Sequence, residues 1–245
     1  MNNSKVMLKI RIKDKIDLFT KELFYYLFEN DKVQFKKIKR LYDEFTATLS
    51  IANSDEIWDQ FILQIETIRT KINLDAKAIE ENDPAAKSIE EVYYAYPGFY
   101  AIVIYRLSHE FHKLNLPIVP RIMSEYAHSK TGTDIHSGAQ IGDSFFIDHA
   151  TGTVIGETVI INNNVKIYQG VTLGAFHISK NLKTKKRHPT IGDNVIIYAN
   201  ATILGGETII GKNSTIGANV WITESIPENS FVYHEFKSIV KPKNK

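Results

Sequence analysis

VIGETVIINNNVKIYQGVTLG (154–174) places Ile155, Ile161, Ile167 and Leu173 six residues apart. Val159, Val165 and Val171 each stand two residues ahead of one of them, so every unit carries a β-branched residue and then a larger aliphatic one. The same interval separates Ile135, Ile141 and Ile147 upstream. Downstream it separates Ile191, Ile197 and Ile203, then Ile210, Ile216 and Ile222. Twelve of these thirteen positions are isoleucine, too uniform for a chance alternation. A helix rejects the pattern, because six steps of a 3.6-residue turn carry the chain to the opposite face. Hairpins reverse at less regular intervals and need turn residues to do so. A triangular solenoid satisfies a period of six: each unit forms a flat wall and a corner, three units close one coil, and isoleucine stacks on isoleucine between coils.

The breaks in the period are informative. Ile147 and Ile155 are eight residues apart, with the extra pair inside DHATGTV (148–154). Leu173 and Ile191 are eighteen apart, and GAFHISKNLKTKKRHPT (174–190) lacks a pattern fit for walls, so this segment is expected to leave the coil as an extended loop. Loops projecting from a rigid scaffold are where binding residues concentrate.

Up to about residue 132 the period is helical. Ile57, Phe61, Ile62, Ile65 and Ile68 recur on one helix face, with Ser54 placed as N-cap. Asp83 and Pro84 read as the N-cap and first position of a further helix, broken at YPG (96–98), and LPIVPRIMSEYAH (116–128) opens another. The fold class expected is α+β with segregated halves: an α-helical domain over 1–132, a solenoid over 133–232 with a loop at about 175–190, and a tail over 233–245.

Composition limits the partners. With 30 Lys and Arg against 28 Asp and Glu, the net charge of +2 gives no electrostatic case for nucleic acid or an acidic membrane. No cysteine is present, which removes disulfides, thiolate metal sites and a cysteine nucleophile, and fits a reducing cytoplasm. The longest apolar run, FYAIVIY (99–105), is far too short to span a bilayer. A cytoplasmic protein acting on a small molecule is expected.

TDIHSGAQIG (133–142), DHATGTVIGET (148–158), QGVTLG (169–174) and RHPTIGDNV (187–195) resemble the serine acetyltransferases, with the similarity running from Asp83 to about Pro227. Generic six-residue-repeat proteins share the isoleucines but not these corners. The resemblance implies a left-handed parallel β-helix and transfer of the acetyl group of acetyl-CoA to the hydroxyl of L-serine, the first step from serine towards cysteine. A hydroxyl is a poor nucleophile until a base takes its proton, and a histidine held by a carboxylate suits that work. By resemblance the base is His149 and the carboxylate Asp134. Arg187 is suited to a bidentate pair with the serine carboxylate, Asp148 to the ammonium; His188 and Asp83 complete the acceptor pocket by resemblance. Asp83 also has a plain reading as a helix cap, and His136 one as a turn residue.

Gly174, Ala175, Ala199, Gly217 and Ala218 match the family's acetyl-CoA edge, where small residues let the pantetheine arm reach the backbone; tight corners explain them equally well. Lys180, Lys183, Lys185 and Lys186 are candidates for screening CoA phosphates, or simply a solvated loop. No tightly bound cofactor and no metal is expected. The resemblance further implies a homotrimer or a hexamer of two trimers, active sites shared between neighbours, and cysteine as feedback inhibitor. Tyr198 departs from a family glycine, and the glycine-proline turn after the last coil is missing. The final residue is Lys245 rather than isoleucine, so a tail-mediated complex with O-acetylserine sulfhydrylase is not expected.

Three other readings remain open on the sequence. The acceptor is a sugar or xenobiotic; the solenoid carries a three-histidine zinc site of the γ-carbonic-anhydrase type; or the chain is a scaffold without activity. Of the eight histidines only His109 and His112 are close in sequence, and they are expected on a helix surface.

Overall fold

The computed structural model describes residues 9–29, 31–176, 185–235 and 241. Its first half contains α1 (Ile12–Glu29), α2 (Lys32–Thr48), α3 (Ser54–Leu63), α4 (Ile65–Asn82), α5 (Ile89–Ala95), α6 (Pro97–Lys113) and α7 (Val119–Thr131). Phe19, Tyr42, Phe45, Phe61 and Phe111 are fully buried where these helices meet, and Phe61 stacks on Phe111 with centroids 3.9 Å apart. Each such ring contributes about 1.5–3 kcal/mol by leaving water. No described helix is long and apolar enough to cross a membrane.

Two helix boundaries differ from the expectation. The apolar face running through Ile57 and Ile68 belongs to two helices, because the chain breaks at Gln64, and Asn53 rather than Ser54 precedes the first of them. Asp83 does not start a helix: it is the C-cap of α4, in extended backbone. The next helix waits for Ser88, whose hydroxyl accepts from Glu91 N while the Glu91 carboxylate accepts from Lys87 N. That reciprocal arrangement satisfies two free amides at the helix start, one more than Asp83 and Pro84 would.

The second half is a left-handed parallel β-helix. Its walls are the sheets β1–β4–β7–β10–β13, β2–β5–β8–β11 and β3–β6–β9–β12–β14. The first wall contains β1 (Asp134–Ile135), β4 (Val154–Ile155), β7 (Thr172–Gly174), β10 (Thr202–Leu204) and β13 (Trp221–Ile222). The second contains β2 (Gln140–Ile141), β5 (Ile160–Ile161), β8 (Thr190–Ile191) and β11 (Ile209–Ile210). The third contains β3 (Phe146–Ile147), β6 (Lys166–Ile167), β9 (Ile196–Ile197), β12 (Thr215–Ile216) and β14 (Phe231–Val232). Ile155 pairs with Leu173 eighteen residues on, the length of three undisturbed units. Ile135 pairs with Ile155 at twenty, the two-residue excess lying at 148–153; Leu173 pairs with Ile203 at thirty, the excess falling between β7 and β8. Every expected wall isoleucine is thus an inward-facing buried residue.

The corners are built from residues that tolerate left-handed backbone. Between the second and third walls Asn164, Asn194, Asn213 and Asn229 all have φ of 57–58°. Each of the first three donates its side-chain amide to the next at 3.0–3.2 Å, a ladder that ties successive coils. The two halves meet where a buried ion pair of the helical half, Arg106 of α6 with Asp75 of α4, bonds to the first coil through Ile141 O, Gly142 O and Phe145 N, and at Gly98, where a Cβ would lie 2.3 Å from Ile147 O.

Candidate active site

The corner that leaves β3 is the one lengthened by two residues, and its backbone is unusual. His149 and Ala150 have φ of 55° and 65°, a region that residues with a Cβ seldom occupy. Ala150 N donates to Asp148 O and Gly152 N to Gly132 O, while Thr133 Oγ1 donates to Ala150 O, so the strained turn is locked onto the chain entering β1. Strain held this firmly is a mark of functional geometry. It projects His149 into solvent, 70% exposed, with Nε2 3.6 Å from Asp148 Oδ2.

This corner faces a cleft of 340 Å³ whose other wall comes from the helical half: Asp83, Tyr96, Pro97 and Gly98. The extended turn after α4 presents Asp83 here. One carboxylate oxygen accepts from Ala85 N at 2.8 Å and the other from the Tyr96 hydroxyl at 2.6 Å. Two carboxylates, Asp83 and Asp148, therefore share one small cleft with an imidazole.

Arg187 and His188 lie elsewhere. They precede β8, so they occupy the edge between the first and second walls, whereas Asp148 and His149 occupy the edge between the third and first. Arg187 is half-buried and paired with Glu157 through Nη2; its Nη1 is buried without a hydrogen-bond partner. Burial works against the Glu157 charge, but Arg187, His136 and His112 hold the carboxyl below its usual range. His188 is 7% exposed, and its Nδ1 accepts from both Thr158 N and Thr158 Oγ1. The ring lies flat on Gly156, where a Cβ would sit 2.2 Å from its Nε2.

Burial, then Arg187, push the His188 pKa down to about 4 from 6.5. The ring is thus neutral with its proton on Nε2: a hydrogen-bond donor to the surface, not a base. An unfolded chain protonates first as pH falls, so the contribution of neutral His188 to stability is complete above 6.5, declines below it and is gone below about 4. Urea midpoints between pH 7 and 4 are expected to fall more steeply for the wild type than for His188→Asn; parallel curves would contradict this.

Asp134 faces α7. One of its carboxylate oxygens, one of Glu125 and a ring nitrogen of His128 lie within 4.8 Å of one another, and Asp134 forms no ion pair with His149. Among the described residues this is the one cluster with metal-ligand spacing, and it has a single histidine. His109 and His112 lie on the surface of α6, as expected, on its side towards the first coil: His109 Nδ1 is 2.8 Å from Ser137 O, and the exposed His112 has its ring 6.2 Å from that of His136. His136 is a turn residue, its Nδ1 accepting from Gly138 N.

The small residues divide between the same two edges: Gly174 and Ala175 with Arg187, and Ala199, Gly217 and Ala218 with His149. Coil packing accounts for the two glycines, since a Cβ would meet Leu204 at 2.8 Å from position 174 and Val232 O at 2.9 Å from position 217. Tyr198 stacks on Tyr168, centroids 5.1 Å apart, on the edge above Asp148. Lys180 and Lys183 lie outside the described residues. Lys185 is exposed, while the Lys186 ammonium donates to Thr158 O, His188 O and Pro189 O, tying down the loop end instead of facing a phosphate. Tyr96, Glu157 and Thr158 were not singled out on the sequence, although each sits inside or beside a quoted motif.

Residues 188–224 match the family model "Bacterial transferase hexapeptide (six repeats)". A plasmid-encoded serine acetyltransferase of Synechococcus elongatus is 46% identical over 194 residues, 77% of this chain and 60% of that protein. The match spans about half the length of the next two curated relatives. The serine acetyltransferase of Mycobacterium tuberculosis is 44% identical over 163 residues, 66% of this chain and 69% of its own length. Serine acetyltransferase isoform 3 of Entamoeba histolytica, solved in complex with cysteine, superposes with a TM-score of 0.79 at 36% identity, covering 94% of this chain and 84% of that one. With its helical half, its coils of six-residue units and the corners on which the quoted motifs fall, the chain belongs to the serine acetyltransferase family.

Proposed function

We propose that this protein transfers the acetyl group of acetyl-CoA to the hydroxyl of L-serine, giving O-acetyl-L-serine and CoA. The observation that carries the reading is the division of complementary groups between two edges. One edge has two carboxylates and an exposed imidazole; the other has a guanidinium with a buried, unpartnered Nη1 and a neutral histidine donor. Serine needs both kinds of group, the carboxylates for its ammonium and the guanidinium for its carboxylate. A sugar hydroxyl needs neither.

The two edges of one prism cannot close on one small molecule, so the site is formed where the first–second edge of one copy meets the third–first edge of another. Three copies around an axis satisfy this for every site, by a closed heterologous ring. Asp83 and Asp148 hold the ammonium, Arg187 the carboxylate, and His188 donates through Nε2. His149 removes the hydroxyl proton as the serine oxygen attacks the thioester carbonyl. The tetrahedral intermediate collapses with cleavage of the C–S bond, and the imidazolium returns the proton to the departing sulfur. Asp134 steadies that imidazolium when the site is closed; support comes from the locked packing of the His149 corner against the strand that begins with Asp134. Acetyl-CoA, as co-substrate, lies along the same junction against Ala175, Ala199 and Ala218. Cysteine, lacking the hydroxyl but keeping both charges, fits the same groups as inhibitor. The helical half, 1–132, contributes Asp83 and Tyr96 to the pocket.

Thiol release from acetyl-CoA tests the acceptor: L-serine is expected to outpace sugars and simple amines, and preference for a sugar would overturn the assignment. The same assay tests the shared site. His149→Ala and Arg187→Ala are each expected to be inactive, yet an equal mixture, unfolded and refolded together, should recover about a quarter of wild-type activity, because one junction in four then joins two intact edges. No recovery in a mixture that reassembles would place both edges' residues in separate sites.

A further inference from the structure

We propose that Tyr96 is a positioning residue for the acceptor ammonium, acting through Asp83; the inference rests on serine being the acceptor. Asp83 is the C-cap of α4, its N–H bonded to Ile79 O, but its side chain stands past the helix end, where a carboxylate is free to turn towards solvent. Two bonds stop it: Ala85 N donates to Oδ1 at 2.8 Å and the Tyr96 hydroxyl donates to Oδ2 at 2.6 Å. The first is local and moves with the loop. The second comes from a different part of the chain and fixes Asp83 relative to the solenoid.

Tyr96 has that authority because of its neighbours. It precedes Pro97, which holds it in extended backbone at φ −84° and ψ 114°, between the end of α5 and the start of α6. Gly98 then lets the first turn of α6 press on β3, where a Cβ would lie 2.3 Å from Ile147 O. Ile147 is followed by Asp148 and His149. The run Tyr96–Pro97–Gly98 therefore sets the distance between Asp83, on the helical side of the cleft, and Asp148 and His149 on the solenoid side. The hydrogen bond to Asp83, followed by burial and the charges of Asp83, Glu91 and Asp148, pushes the phenol pKa up to about 12, so the hydroxyl remains a donor throughout the working range. Its bond leaves the other lone pairs of both oxygens free to accept from an ammonium.

The test is Tyr96→Phe, which removes one oxygen and keeps the ring. The KM for L-serine is expected to rise about tenfold, the scale of one hydrogen bond to a charged group, with kcat and the KM for acetyl-CoA changing no more than about twofold. In the Asp83→Asn background the same change should add nothing, since the residue through which Tyr96 acts is already compromised. A KM for serine that stays put, effects that multiply in the double variant, or equal changes in both KM values would overturn the inference while leaving the acceptor intact. Wild-type protein that releases no CoA with L-serine would overturn both.

Discussion

His149→Ala is expected to lower kcat for serine-dependent CoA release about a hundred- to ten-thousandfold, the range a positioned general base supplies. The side chain is 70% exposed, so the loss belongs to chemistry and not to folding. The backbone at this residue requires attention, because φ is 55° and alanine gains nothing there. Asparagine tolerates the left-handed region better than other residues with a Cβ. His149→Asn therefore serves as a second variant that preserves the turn while removing the base. Both are expected to lose activity to a similar extent, with melting temperatures within about 2 °C of wild type and KM for acetyl-CoA little changed. Retention of a tenth or more of the wild-type kcat by either variant would remove His149 from the role of base and leave the cleft without one.

The fold was largely legible because a wall position is defined by spacing, and spacing survives without any knowledge of contacts. Ile155 and Leu173 gave the coil length directly, and the excess at 148–153 and before β8 marked where the chain departs from it. Helix limits were less legible. Nothing in the residue type of Gln64 announces a break, and Asp83–Pro84 carries the signature of a helix start that Ser88 and Glu91 in fact provide.

The residues of the candidate site can be picked out individually, and a site shared between neighbours is what the resemblance implies; which residue belongs to which edge is a matter of counting walls. Walls counted in threes from Ile135 put Asp148 after a third wall and Arg187 after a first, which already assigns them to different edges. The buried link between the halves had no such signal. Asp75 and Arg106 are 31 residues apart on two amphipathic helices and look like ordinary surface charges.

That link supports the second large expectation, that Asp75→Asn lowers the unfolding free energy by about 3–5 kcal/mol, the cost of leaving one member of a buried ion pair without its partner. Asp75 is fully buried and Arg106 is 4% exposed. The guanidinium meets the carboxylate through Nε at 2.5 Å and Nη2 at 2.7 Å, and Phe145 N adds a third donor at 2.9 Å. Burial pushes the Asp75 carboxyl up; Arg106 and the Phe145 amide pull against it, and this two-pronged geometry is that of an ionised pair. Arg106 also donates to Ile141 O and Gly142 O, so the pair clamps α4 and α6 to the first coil. An asparagine amide offers a single acceptor oxygen and turns a donor towards the guanidinium, leaving its charge uncompensated in a dry site. Urea unfolding at fixed protein concentration measures the loss, and a change below about 1 kcal/mol would show that water reaches the pair. Replacing both residues at once, as Asp75→Leu with Arg106→Met, removes the stranded charge together with its partner and is expected to recover most of the stability. It also removes the donors that hold Ile141 O and Gly142 O. A double variant that is stable but has a raised KM for serine would therefore identify the clamp as a determinant of cleft geometry, since α6 carries Gly98 at its start and Arg106 further along the same rigid rod.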